Sequence, residues 1–124
     1  MNSADVPVPT QLTLKKGGQT LDVTFADGLQ AALSAEYLRV HSPSAEVTGH
    51  LAGEGVLVTG KEAVRIERIE PVGRYAVRIV FDDGHDSGLY TWRVLHDLSA
   101  GHKDYWDRYL ERLAEAGHSR ATLS

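Results

Sequence analysis

Residues 63–90, "AVRIERIEPVGRYAVRIVFDDGHDSGLY", carry the pattern that decides the fold. Val64, Ile66 and Ile69 alternate with charged residues, imperfectly near Arg68, and Tyr75, Val77, Ile79 and Phe81 alternate cleanly. A two-residue period marks a strand with one face buried and the other in water. Pro71-Val72-Gly73 separates the two runs as a turn, and Asp83-Gly84 makes a second turn from which "HDSGLY" returns. The stretch predicts a three-stranded antiparallel meander, with Arg65, Arg68, Arg74 and Arg78 at solvent-facing positions. Glu67 and Glu70 stand three apart and are expected on opposite faces, which argues against a paired-carboxylate centre there.

Upstream, Leu12 and Leu14, then Leu21, Val23 and Phe25, alternate with polar residues around Gly17-Gly18, the signature of a hairpin with a tight turn. Residues 29–44 are richer in helix formers. Ser34 can cap a short helix carrying Tyr37, Leu38 and Val40 or His41, and Pro43 stops it. Residues 45–63 hold four glycines and read as a loop with one short strand near 56–58. Downstream, Trp92, Leu95 and Leu98 share one helical face, and Tyr105, Trp106, Tyr109, Leu110 and Leu113 share another. Gly117 suits the position just past a helix end. Residues 1–9 and 118–124 read as tails around one domain spanning 10–117.

The composition narrows the chemistry. With 124 residues and 42% hydrophobic content, the chain can bury a core without a disulfide or a metal. It has no cysteine, so thiolate catalysis, cysteine-ligated zinc and cysteine-ligated clusters within the chain are excluded. The first residues show no basic, then apolar, leader pattern, and no apolar run approaches the roughly 20 residues of a membrane span. A cytoplasmic protein is expected. The net charge is −4, and no basic stripe suits a phosphate backbone, so nucleic acid is not an expected partner.

Within the meander, "DDGHDSG" sets Asp82, Asp83, His85 and Asp86 around two glycines. A histidine flanked by carboxylates suits a metal ligand or a proton-transfer group. The plainer reading is a turn at Asp83-Gly84 after which His85 begins a strand. No H-E-x-x-H pair is present. His102-Lys103-Asp104 has the spelling of an iron facial triad but falls at a helix start. Trp92, Trp106, Tyr90, Tyr105 and Tyr109 have the spacing of core residues rather than of a cation cage.

The stretches "LSAEYLRVHSPSAEV", "RIERIEPVGRYAVRIVFDDGHDSGLYTWRVLHDL" and "YWDRYLERL" together resemble a family of small bacterial proteins, DUF971, similar to the N-terminal domain of γ-butyrobetaine hydroxylase. The resemblance spans about residues 10–114. In the hydroxylases this domain precedes a separate oxygenase domain, which has no counterpart in these 124 residues. The resemblance therefore implies an accessory module rather than a hydroxylase. It also implies a zinc site of three cysteines and one histidine. Here the cysteine positions fall on Ser42, Ser44 and Val47, and only the histidine, His85, is retained. Serine is a poor zinc ligand and valine is none. His41 or His50 could rebuild a weaker site with His85. A similar domain is fused to iron–sulfur carrier ATPases, which suggests a role near iron–sulfur assembly by analogy of fusion.

The expectation is one α+β domain, an antiparallel sheet of about five to seven strands with two or three helices packed on one side. The expected function is that of a non-catalytic binding or adaptor module whose surface includes Arg39, His41, Asp83, His85 and Asp86. Its partner would be a protein of iron or iron–sulfur metabolism, and the chain a monomer or homodimer without a resident cofactor. The alternative is a protein binding iron or zinc through His85, a second histidine and Asp83 or Asp86. A third reading is a small enzyme using His85 and Asp86 as acid and base.

Overall fold

Leu21, Val23 and Phe25 all point inward from the second strand of the N-terminal hairpin, as their alternation requires. A computed structural model describes residues 7–42, 58–86 and 88–117. In it β1 (Pro9–Lys15) pairs antiparallel with β2 (Thr20–Phe25) across a tight turn at Lys16–Gly18. β2 pairs in turn with β3 (Gln30–Ser34), placing Leu33 opposite Leu21 and Ala31 opposite Val23. Residues 30–34 thus form a strand although their composition favours helix. Cross-strand pairing and burial of Leu33 outweigh a weak local preference over five residues. Pro9 already pairs with Phe25, so the strand begins inside the segment expected to be a tail.

Helix α1 (Ala35–Val40) starts where Ser34 predicts it, with the Ser34 hydroxyl accepting the Tyr37 N–H at 3.0 Å. His41 caps its other end. Pro43 and most of the expected 45–63 loop, including the strand near 56–58, lie outside the described residues, apart from Val58 onward.

The meander forms as expected from β4 (Ile66–Val72), β5 (Ala76–Phe81) and β6 (Leu89–Thr91). The irregular alternation near Arg68 has a physical cause. A bulge sets Ile66 opposite Phe81 and Arg68 opposite Val80, so two steps on β4 match one on β5. The bulge returns Ile66 and Ile69, three apart, to the same inward face. It also overturns the expectation that Glu67 and Glu70 diverge, since both reach Arg68, at 3.9 and 2.7 Å. Pro71 and Val72 belong to β4, and the turn is Gly73-Arg74-Tyr75. Tyr75 is therefore 74% exposed rather than on the inward face. The third strand is short, starting only at Leu89.

Thr91 caps α2 (Trp92–Ala100), its hydroxyl accepting the Val94 N–H at 3.1 Å. α3 (His102–Glu115) follows after Gly101, and Gly117, at φ 78°, lies just past its end. Leu110, expected on the buried stripe of α3, is 38% exposed. Among the described residues the six strands form two three-stranded sheets rather than one, β1-β2-β3 and β4-β5-β6. Both deliver apolar faces to a single core with Tyr37, Leu38, Leu95 and Leu98. Each fully buried side chain such as Ile79 or Phe81 contributes about 1.5–3 kcal/mol. The phenols of the two buried tyrosines are satisfied by backbone carbonyls, Tyr37 by Leu98 at 2.7 Å and Tyr90 by Leu38 at 2.5 Å. These bonds tie α1 to α2 and to β6, and so fix where the end of α1 meets the meander.

A polar junction between the end of α1 and the β5–β6 turn

The β5–β6 turn is built locally. Gly84 takes φ 91°, and the Phe81 N–H donates to the His85 carbonyl at 2.9 Å. The Asp83 carboxylate accepts the His85 N–H at 3.1 Å, an Asx-type turn. Asp82 ties the turn to the start of β4 by accepting the Arg65 N–H at 3.0 Å.

The end of α1 closes onto this turn through polar contacts. Arg39 Nε donates to Asp83 Oδ2 at 2.9 Å, and Lys61 Nζ reaches the same oxygen at 2.7 Å. All three side chains are less than a quarter exposed, so water screens these pairs weakly. Partial burial alone would raise the Asp83 carboxyl. Hydrogen bonds from Lys61, from the His85 N–H and from Arg39 outweigh it and hold the group at about 2.

Beside this cluster, Ser42 Oγ lies 2.9 Å from His85 Nε2. Ser42 is only 3% exposed, and its hydroxyl also reaches the Tyr90 phenol. Gly88 makes room for the pair: a Cβ there would lie 2.5 Å from Ser42 Oγ and 3.0 Å from the Tyr90 ring.

Three of the five residues singled out from sequence, Arg39, Asp83 and His85, meet at this junction. His41 turns the other way. Its Nδ1 contacts the Tyr37 carbonyl at 2.9 Å, and its ring packs against Tyr37, Tyr105 and Tyr109. Burial lowers the His41 pKa; the Tyr37 carbonyl works against this, and Arg112 and His102 reinforce it. Asp86 is exposed, and its negative charge acts on Arg68. Lys61 was not foreseen, because a lysine in a glycine-rich stretch gives no local sign of a carboxylate 22 positions away.

The residues at this junction do not fit a zinc site of the family type. The His85 nitrogen faces a serine hydroxyl, and Asp83 is neutralised by two cations. Among the described residues no three histidines or carboxylates cluster to hold a metal. Ser44, Val47 and His50 lie outside the described residues. No described helix is long and apolar enough to cross a membrane.

Several solved structures are similar to the chain. One, determined by NMR in solution, is 52% identical, with a TM-score of 0.82 over 100% of this chain and 92% of its own. A second NMR structure is 44% identical, with a TM-score of 0.79 over 95% of this chain and 93% of its own. The third is a crystal structure of a DUF971-family protein of unknown function from Acidithiobacillus ferrooxidans. It is 37% identical, with a TM-score of 0.62 over 74% of this chain and 92% of its own. No curated protein matches the chain. The family model for the gamma-butyrobetaine hydroxylase-like N-terminal domain matches residues 12–96, most of the sheet framework and the whole of the junction, and the chain belongs to that family.

Proposed function

We propose that this chain is a non-catalytic binding module that docks a protein partner through the junction of residues 39–42 with 82–86. One observation carries the reading: Asp83 gathers Arg39, Lys61 and the His85 N–H around a single carboxylate. The arrangement pre-orders charged and hydrogen-bonding groups at the surface, which lowers the ordering cost of binding. Arg39 and His85 are the contact groups, Asp83 positions both, and Asp86 lies exposed beside them. The family resemblance supports an accessory role and points to a partner in iron or iron–sulfur metabolism. The metal-binding alternative draws less support, because Asp83 is already paired with cations and His41 is packed among tyrosines.

Two measurements on untagged full chain test the proposal. Affinity capture from source cells should recover one protein with the native chain and lose it with Arg39→Ala combined with His85→Ala. Elemental analysis after mild dialysis should find less than stoichiometric metal. Stoichiometric iron or zinc that disappears in His85→Ala would replace this reading with the metal-binding one.

A further inference from the structure

Residues 58–63, "VTGKEA", belong to no helix or strand, yet they are fastened at both ends of their length. The Tyr109 hydroxyl of α3 donates to the Val58 carbonyl at 2.9 Å. Three residues on, Lys61 Nζ reaches Asp83 Oδ2 on the β5–β6 turn at 2.7 Å. Gly60, at φ 75°, bends the chain between these ties. The segment is thus a strap from α3 to the β5–β6 turn.

Beneath the strap is a small apolar cluster, separate from the main core. Val40 of α1 and Tyr109 and Leu113 of α3 form it, with Val58 and Trp106 packed against them. Val40, Tyr109 and Leu113 are buried, whereas Val58 is only half-buried. A segment with no backbone ladder and one half-buried apolar side chain opens at low free-energy cost. The ion pair adds little to that cost. Arg39 Nε lies 2.9 Å from the same Asp83 oxygen, so the carboxylate keeps a cationic partner when Lys61 leaves.

We propose that the strap is the internal occupant of a peptide groove between α1 and α3, and that a partner displaces it with an extended segment of the same chemistry. That segment carries a branched aliphatic residue followed three positions later by a lysine or arginine. The aliphatic side chain takes the place of Val58 against Val40, Tyr109 and Leu113, and its carbonyl accepts the Tyr109 hydroxyl. The cation takes the place of Lys61 at Asp83. Val58 and Lys61 set these requirements because they are the groups the groove now holds. The strap is autoinhibitory: tethered to β4, it competes at an effective concentration on the order of millimolar. This inference rests on the docking surface proposed above and adds a groove beside it.

The test is an NMR titration of the isotope-labelled full chain with the end-capped peptide VTGKEA. In the native chain the strap competes and binding should be weak. In Val58→Ser combined with Lys61→Ser the peptide should bind at least about tenfold more tightly, with saturable shifts of the Leu113 and Asp83 amides. Lys61→Ser alone leaves the apolar cluster intact, should gain affinity by less, and carries the same comparisons if the double variant unfolds. Peptides with serine for the valine, or methionine for the lysine, should bind at least about tenfold more weakly than VTGKEA. The proposal is overturned if the loosened variant binds no peptide up to tens of millimolar, binds it no more tightly than the native chain, or does not distinguish the altered peptides. Those results with cellular capture through Arg39 and His85 intact would strike the groove and leave the junction standing. Loss of capture with peptide binding intact would strike the junction alone.

Discussion

His41 caps α1 and His85 sits on the β5–β6 turn that meets it, and the two meet opposite fates. His41 is 7% exposed, its ring enclosed by Tyr37 from α1 and Tyr105 and Tyr109 from α3. His85 is partly exposed and meets Ser42, the residue next to His41, within a polar turn. His41 closes the buried end of α1, whereas His85 follows a surface turn between two strands. Polar residue type in a suggestive sequence is therefore weak grounds for a site until the backbone has been traced.

The sharpest way to break the contrast is on the aromatic side. Tyr37→Ala removes the ring against which His41 and His102 pack, and the bond to the Leu98 carbonyl. It should cost about 3–5 kcal/mol, seen as a fall in thermal midpoint of more than about 10 °C. A midpoint close to the native value would show that the aromatic cluster is not part of the core.

On the polar side, Asp83→Ala leaves Arg39 and Lys61 without their carboxylate and should cost about 1–3 kcal/mol in urea unfolding. Asp86→Ala should change stability by less than about 0.5 kcal/mol. Equal effects would mean that the ion pairs at Asp83 do not hold the junction. Because the folded carboxyl sits at about 2, below its ordinary 3.8, the Asp83 contribution is complete above pH 3.8 and is lost as pH falls through 2. Asp83→Asn should flatten that part of the profile.

His41 gives a second pH window with its own sign. Its folded pKa is below the ordinary 6.5, so the unfolded chain takes up the proton first. Stability is complete above pH 6.5 and declines as pH falls below it, until the folded group also protonates. Urea midpoints measured downward from pH 7 should show this decline in the native chain and less of it in His41→Gln. A small effect is also expected at His85. His85→Ala removes the part-buried hydrogen bond to Ser42 and should cost less than about 1 kcal/mol, leaving the fold intact for binding assays.

Much of the frame was legible because it rests on local rules. The period-two runs located β2, β4 and β5, Ser34 located the start of α1, and Asp83-Gly84 located the turn that carries His85. The bulge at Ile66–Arg68 was visible only as a defect in alternation, since a bulge is defined by its partner strand. β3 was hidden because its strand character comes from pairing with β2. The division into two sheets left no local trace, since it depends on how distant segments pack. At the junction, Arg39, Asp83 and His85 could be named from sequence, and the resemblance pointed to Ser42. Lys61 could not be found, because nothing local marks an ion pair closed by tertiary folding. The same limit placed His41 with the polar residues when the fold packs it among tyrosines.

The 39–42/82–86 junction is the surface that we propose meets a partner. Photo-crosslinking in source cells tests it most directly, with benzoylphenylalanine placed at the exposed Asp86 in one variant and at the exposed Arg108 of α3 in another. One dominant crosslinked protein is expected from position 86 and none from position 108. The same protein crosslinked from both positions, or from position 108 alone, would contradict it.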